Sequence, residues 1–186
     1  TGKYIYSLDN SLNATQSLGA GEAGTDRFHV VAVNETGMHS GPTDVTGHIE
    51  GSNDAPFVRS SSSNVNDNTG NVSFTDVDVN DTHTLAILVD GISHAVTLNE
   101  QGTEGCVEID GLGTFTLAGT DGEPGQHGWS YRFEASDEAK GQIAAGTTGI
   151  VNIRIQVSDG PDSATTGNLA VGIEGSNTLS AEPLVA

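Results

Sequence analysis

The chain has 186 residues, with 25 acidic against six basic side chains, a formal net charge of −19 and only 34% apolar residues. Nucleic acid and anionic membranes repel a polyanion of this density, so we expect neither nucleic-acid binding nor direct membrane insertion. Cations must offset the self-repulsion, whether they come from salt-rich surroundings or are held at specific sites. Because the acidic residues cluster at turns, the sequence favours specific calcium sites.

The first 50 residues contain three short β-type runs and their turns. Residues 3–8 alternate in polarity and predict a strand, and residues 9–18 predict a loop with one helical turn. Residues 26–33 and 45–50 predict two further strands, which a turn at 34–37 separates. The N-terminal residues already lie within a strand pattern, so we expect the chain to be a fragment of a longer polypeptide.

The middle of the chain contains β-type runs that occur only once. Turns such as Asp90-Gly91 and Asp110-Gly111 separate them. No window of 12 residues has a helical period, and no apolar run of 18 residues exists, so the prediction is an all-β protein without a membrane span. The runs lie at residues 72–74, 85–89, 95–98, 107–109 and 114–117.

The single cysteine, Cys106, excludes a disulfide framework. It lies in the alternating run Gly105–Ile109, where a free cysteine is typically a small buried apolar side chain. A secreted protein without disulfides needs another source of rigidity, and bound metal is the usual one.

An internal repeat organises the chain. The seam Gly51-Ser52-Asn53 returns as Gly175-Ser176-Asn177, and residues 128–174 match residues 3–50 at an offset of 125, as from Leu18 to Ile143. The predicted fold is an immunoglobulin- or cadherin-like antiparallel β-sandwich, with one complete repeat preceded by the C-terminal half of another. The expected parts are residues 1–50 (partial repeat), 51–56 (linker), 57–174 (complete repeat) and 175–186 (downstream linker or tail).

Residues 1–50 supply too few strands for an independent sandwich. Two arrangements are open at this point. The missing half of this repeat lies in an upstream segment, or the strands pack onto the second repeat and enlarge it.

Three stretches resemble the repeats called VCBS-type or bacterial cadherin-like. They are the seam Gly51-Ser-Asn-Asp-Ala-Pro56, the run Phe74-Thr-Asp-Val-Asp-Val-Asn-Asp-Thr-His-Thr84, and Tyr4–Asn10 with its following glycine turn. The resemblance implies β-sandwich extender modules of large RTX-type adhesins, exported by type I secretion and rigidified by calcium. It places the protein outside the cell, on the surface of a Gram-negative bacterium, with biofilm adhesion as the expected role. The second seam departs from the pattern, because Thr178 replaces Asp54.

Acidic residues at the turns are the candidate calcium ligands. Asp76, Asp78 and Asp81 provide three carboxylates within six residues, and they converge only if the chain turns there. Solvated acidic turns are the alternative for every one of these positions. The remaining candidates are Asn53 and Asp54 in the seam, Glu22 and Asp26 before it, and Asp159 in a later turn.

The sequence favours a structural module over an enzyme. It contains no Gly-x-Ser-x-Gly, His-Glu-x-x-His or Cys-x-x-Cys motif, and its six histidines are scattered. A ligand-binding tip module for a host or biofilm glycan or peptide is the alternative, since Trp129 and Tyr131 are able to stack on a sugar. Their alternation instead favours a place in the core. The expected partners are neighbouring repeats of the same chain, and the expected state is a monomer.

Overall fold

The computed structural model describes residues 4–120 and 125–178, and it confirms the all-β prediction with antiparallel sheets. The immunoglobulin- or cadherin-like type of sandwich stays a prediction. Two short helices, α1 (Asn13–Gln16) and α2 (Asp137–Gly141), accompany the strands. The strands are β1 (Ala23–Val30), β2 (Thr43–Glu50), β3 (Phe57–Asn64), β4 (Thr69–Thr75), β5 (Thr84–Val89), β6 (Ile92–Ala95), β7 (Thr97–Leu98), β8 (Glu104–Ile109), β9 (Gly113–Thr120), β10 (Gln126–Ala135), β11 (Thr148–Ser158), β12 (Ser163–Thr165) and β13 (Leu169–Glu174).

The chain divides into two compact units. Unit 1 comprises Thr1–Asp54 and Val77–Asp81, and unit 2 comprises Ala55–Asp76 and Thr82–Ala186. The loop 77–81 connects β4 to β5 in the chain, so its place in unit 1 is a feature that the sequence did not predict. The seam Gly51–Pro56 contains the boundary between Asp54 and Ala55.

Unit 2 contains two antiparallel sheets over one apolar core. One sheet has the order β3-β4-β10-β9-β8-β7, and the other has the order β12-β11-β5-β6 with β13 also paired to β11. Alternate residues of the strands face inward, as expected for sheets with one solvated face. The largest apolar side chains that are almost fully buried are Phe74, Phe115, Ile87, Ile153, Ile155, Val72, Val157 and Val171.

The turn between β5 and β6 follows directly from its sequence. Asp90 and Gly91 have positive φ angles of 50° and 82°, and Val89 pairs with Ile92 across the turn. A two-residue turn with two positive φ angles matches the twist of antiparallel strands. The Asp-Gly prediction is therefore confirmed here.

Along the outer edge of β13, main-chain groups form hydrogen bonds with side chains rather than with another strand. Asn68, itself at φ 54°, donates from Nδ2 to the Gly172 carbonyl at 2.8 Å and accepts from the Gly172 N–H at 2.7 Å. The Ala170 N–H donates to the Ser63 hydroxyl at 3.1 Å. Such contacts blunt an edge that otherwise offers unpaired main-chain groups to other chains.

Unit 1 contains α1 and a two-stranded antiparallel sheet of β1 and β2. Their register runs from Ala23 opposite Glu50 to Val30 opposite Thr43. The predicted strand at 3–8 is wrong for the described residues 4–8, which are not part of any strand. Their counterparts in β10 pair with both β4 and β9, whereas residues 4–8 have no such neighbours in the described sheets.

The predicted internal repeat is confirmed at the level of strand pairing. Ala23 pairs with Glu50 in unit 1, and Thr148 pairs with Glu174 in unit 2, at offsets of 125 and 124 residues. The same offsets hold along the six pairs that β11 makes with β13. Of the downstream tail 175–186, residues 179–186 lie outside the described part of the chain.

Two predictions about side-chain burial had different outcomes. Cys106 is exposed, so its predicted burial is wrong. Its neighbours Val107 and Ile109 face the core, and the two-residue period of a strand turns Cys106 outward. The core position of Tyr131 is confirmed, and Trp129 packs against the same core while partly buried.

Candidate metal centre

The first seam is clamped against the turn that precedes β1. The Gly51 N–H donates to the Glu22 carbonyl at 2.8 Å, and the Ser52 N–H donates to the Leu18 carbonyl at 3.1 Å. A Cβ atom on Gly51 would lie 2.3 Å from the Gly19 carbonyl oxygen and 2.4 Å from that of Leu18. Only glycine permits this approach of two main-chain segments. The clamp sets the position from which Asn53 and Asp54 continue.

Four of the predicted ligands lie in this region of unit 1. The Asp54 N–H donates to Asp78 Oδ2 at 2.6 Å, and Asp78 is only 1% exposed. Glu22 Oε1 accepts from Asn80 Nδ2 at 2.8 Å, so the loop 77–81 also reaches the turn before β1. Asp81 Oδ1 lies 2.9 Å from the point that a Cβ on Gly19 would occupy.

Glycine at position 19 leaves the space that these carboxylates use. The Gly19 N–H donates to Glu22 Oε2 at 3.0 Å, and a Cβ there would also lie 3.5 Å from Cβ and Cγ of Asp78. Gly19 is itself buried. Sequence reasoning did not single out Gly19 or Asn80 as site residues. The only available signal was the position of Gly19 in the repeated glycine turn, where unit 2 has Ala144.

The chemistry of the donor set fits calcium. Glu22, Asp78 and Asp81 supply hard carboxylate oxygens, and main-chain carbonyls and amide side chains supply the neutral oxygens that calcium also takes. In this conformation, no group of three or more His, Cys, Asp or Glu side chains among residues 4–120 and 125–178 is placed to hold a metal ion. Binding would therefore have to draw the carboxylates together, and the loop 77–81 is the segment that carries two of them.

Asn53 lies at the same seam. It is half-buried, and its Nδ2 donates to the Asp54 carbonyl at 3.4 Å. Asp54 is joined to Asp78 through its main-chain N–H. This hydrogen bond does not involve the Asp54 carboxylate. The roles of both side chains as ligands stay predictions.

The other three predicted ligands take part in other contacts. Asp26 is exposed on β1 and accepts from the Tyr6 hydroxyl at 3.2 Å, and four residues of strand place it about 13 Å beyond Glu22. Asp159 belongs to unit 2, where its Oδ1 accepts from the Asp162 N–H at 2.9 Å in the turn after β11. Asp76 also belongs to unit 2.

Asp76 takes part in a buried cluster with two histidines of unit 2. His83 Nε2 lies 2.9 Å from Asp76 Oδ2, and both side chains are buried. The rings of His83 and His127 are 4.7 Å apart, and each packs on Phe74. Burial lowers the pKa of His127, the neighbouring His83 lowers it further, and Asp76 opposes both effects. This cluster gives Asp76 and His83 a packing role in unit 2.

The second seam repeats the clamp without the acids. The Gly175 N–H donates to the Thr147 carbonyl at 2.8 Å, and a Cβ on Gly175 would lie 2.2 Å from the Ala144 carbonyl oxygen. Thr147 stands where unit 1 has Glu22, and Thr178 stands where the first seam has Asp54. In both copies, therefore, the glycine allows the close main-chain contact. Only the first copy has the carboxylates of Glu22 and Asp54 at the equivalent positions.

Comparisons with family models, with curated proteins and with solved structures each give no match for this chain. None of the helices in the described ranges is long and apolar enough to cross a membrane.

Proposed function

We propose that this chain is a calcium-rigidified extender module of a bacterial cell-surface adhesin, which projects ligand-binding regions away from the cell. The observation that carries the proposal is the meeting of Glu22, Asp78 and Asp81 around Gly19 in unit 1. Asp78 is almost fully buried, and buried carboxylates are paired or bind metal. The resemblance of the seam and of Phe74–Thr84 to adhesin repeats supports the extracellular, cell-surface location.

The charge of unit 1 favours a bound cation. Its sequence has nine acids (seven in residues 1–54 and two in 77–81) against two bases, Lys3 and Arg27. Arg27 already pairs with Asp44 at 3.2 Å. Calcium, when bound, supplies two positive charges to hard oxygen ligands.

The residues of the chain determine what such a site would restrain. Glu22 holds the turn before β1 through the Gly19 N–H, while Asp78 and Asp81 belong to the loop 77–81. We propose that these three carboxylates, with oxygens of Asn53 and Asp54, hold calcium. Calcium held by these residues would fix loop 77–81 to the turn before β1 within unit 1. A restraint of this kind suits an extender.

A ligand-binding tip module is the weaker candidate. Its strongest feature in the sequence was the aromatic pair Trp129 and Tyr131. Tyr131 is buried and Trp129 is partly buried against the core, so the two rings do not form an exposed platform for a sugar.

Thermal unfolding with calcium or with chelator tests the proposal. Calcium at 100 times its dissociation constant stabilises the native state by about 2.7 kcal/mol. For a chain of this size, that corresponds to a rise in Tm of roughly 5–10 °C. Asp78→Asn preserves the oxygen that accepts from the Asp54 N–H but removes the charge, so we expect it to abolish most of the rise.

Asp26→Asn is the matched control, because Asp26 is an exposed carboxylate of the same unit that lies outside the cluster. It should retain the full calcium-dependent rise. An equal Tm in calcium and chelator for the unmutated chain would contradict the proposal. Equal losses in both variants would show that calcium acts only through general charge screening.

A further inference from the structure

The inner face of the unit 1 sheet is exposed where its counterpart in unit 2 is buried. Tyr6 is 39% exposed, whereas its counterpart Tyr131 is 3% exposed. Val30 is 38% exposed, whereas its counterpart Ile155 is fully buried. Phe28 shares a side of β1 with Val30, and its ring stacks on that of Tyr6 with the ring centroids 6.1 Å apart. These residues form an apolar face with no cover among the described residues.

The outer edge of β1 also lacks a neighbour that β11 has. In unit 2, residues 153–158 of β11 pair antiparallel with residues 84–89 of β5. The repeat offset of 125 places the corresponding edge of unit 1 at residues 28–33. The described sheet of unit 1 contains only β1 and β2, so this edge offers main-chain donors and acceptors to a further strand.

Unit 2 shows what covers the equivalent face and edge. The strands β3 to β9, residues 57–120, pack over β10, β11 and β13 or pair with them, and they bury Tyr131 and Ile155. Leu85 and Ile87 of β5 face the same core. A cover for unit 1 therefore needs at least one antiparallel strand with alternating apolar residues, together with a second sheet to pack on Tyr6 and Phe28.

We infer that the inner face and outer edge of unit 1 bind the first half of a β-sandwich like residues 57–120, carried on the same polypeptide ahead of Tyr4. In unit 2 the last of these covering strands, β9, is followed in the chain by β10, whose residues 129–133 are the counterparts of residues 4–8. A short connection on the same chain thus suffices. A second copy of the chain is disfavoured, because two molecules with a net charge of −19 repel each other.

A graft tests this inference on the full chain. A copy of residues 57–128 is joined directly before Tyr4, and the exposure of individual rings is measured by hydroxyl-radical footprinting. The graft contains no tryptophan, so Trp129 continues to report the folding of unit 2 alone. We expect the oxidation rate of Tyr6 to fall roughly 13-fold, the ratio of its 39% exposure to the 3% of Tyr131.

Two matched variants distinguish docking from a nonspecific effect of the graft. Val30→Lys places a charge at the counterpart of buried Ile155 and should keep Tyr6 fully reactive in the grafted chain. His29→Lys changes the adjacent, outward-facing residue and should leave the protection intact. An unchanged oxidation rate of Tyr6 in a folded graft would overturn the inference.

A second measurement applies if the graft does not fold. A peptide with the sequence of residues 82–91 is added to the ungrafted chain, and hydrogen exchange is followed at residues 28–33. Slower exchange at this edge, abolished by Val30→Lys, supports strand binding, and unchanged exchange overturns it. Concentration-dependent dimerisation that protects Tyr6 without any graft would assign the face to a second copy and would also overturn the inference.

Discussion

Replacing Gly51 with alanine tests the clamp that positions the first seam. The added Cβ would lie 2.3 and 2.4 Å from two main-chain carbonyl oxygens, about 1 Å inside ordinary contact. Main chain cannot move aside as a flexible side chain does, so the cost should reach the upper end of the range for overpacking, about 3 kcal/mol. A loss of this size increases local opening of the β1–β2 pairing about 100-fold.

Hydrogen exchange of the β1 and β2 amides measures that opening. Gly47→Ala is the control, because its Cβ would lie 3.6 Å from the nearest atom of the Tyr6 ring, an ordinary contact. We expect exchange to accelerate in Gly51→Ala and to stay within a few-fold of the unmutated rate in Gly47→Ala. Similar exchange in all three proteins would refute the idea that this glycine is required by the close approach of the seam.

Further predictions concern unit 2 and use urea unfolding followed by Trp129 fluorescence. Asn68→Ala removes two hydrogen bonds and leaves the main-chain N–H and C=O of β13 without them, so stability should fall by about 2–3 kcal/mol. Asn66→Ala, an exposed neighbour, should have little effect, and equal losses would contradict the edge-closing role. The lowered pKa of His127 means that the unfolded chain binds the proton first, so stability should be lost as the pH falls from about 6.5 through the folded pKa, and His127→Gln should flatten this loss. A pH profile that His127→Gln leaves unchanged would assign the acid sensitivity to other groups. Burial raises the pKa of Tyr131 to about 12, so stability should fall as the pH rises from about 10 through 12, and Tyr131→Phe should remove that fall. If the stability of Tyr131→Phe falls over the same alkaline pH range, this assignment is contradicted.

Strands with alternating apolar residues were predictable because burial sets their period. β4, β5, β8 and β9 all include a predicted run, and Asp90-Gly91 forms the predicted turn. β3 was missed, since its segment Arg59–Asn64 is almost entirely polar and is a strand only through its pairing with β4. That pairing depends on residues distant in the sequence, which local patterns do not contain.

The repeat identified the seam, but it also led to the wrong strand prediction at residues 4–8. Residues 4–8 carry the alternation of their counterparts in β10, yet a strand needs partners as well as a pattern. The error at Cys106 has a simpler cause. An alternating run has two faces, and the sequence did not decide which of them held the cysteine.

The acidic cluster was predictable only as a list of candidates. Asp78 and Asp81 stand close together in the sequence, but the meeting of their loop with Glu22 depends on tertiary contacts through Asn80 and Gly19. Asp26 and Asp159 carry the same carboxylate in the sequence but take part in other contacts. The role of the Asp54 main-chain N–H has no sequence signal, because every residue except proline has that group.

Hydrogen exchange in calcium and in chelator tests the calcium site most directly. We expect calcium to slow exchange at residues 18–22, 51–54 and 77–81 together, Asp78→Asn to abolish this effect, and β8 and β9 to stay unchanged. Exchange that is identical in calcium and chelator at these three segments, or protection confined to the Asp159 turn, would contradict it.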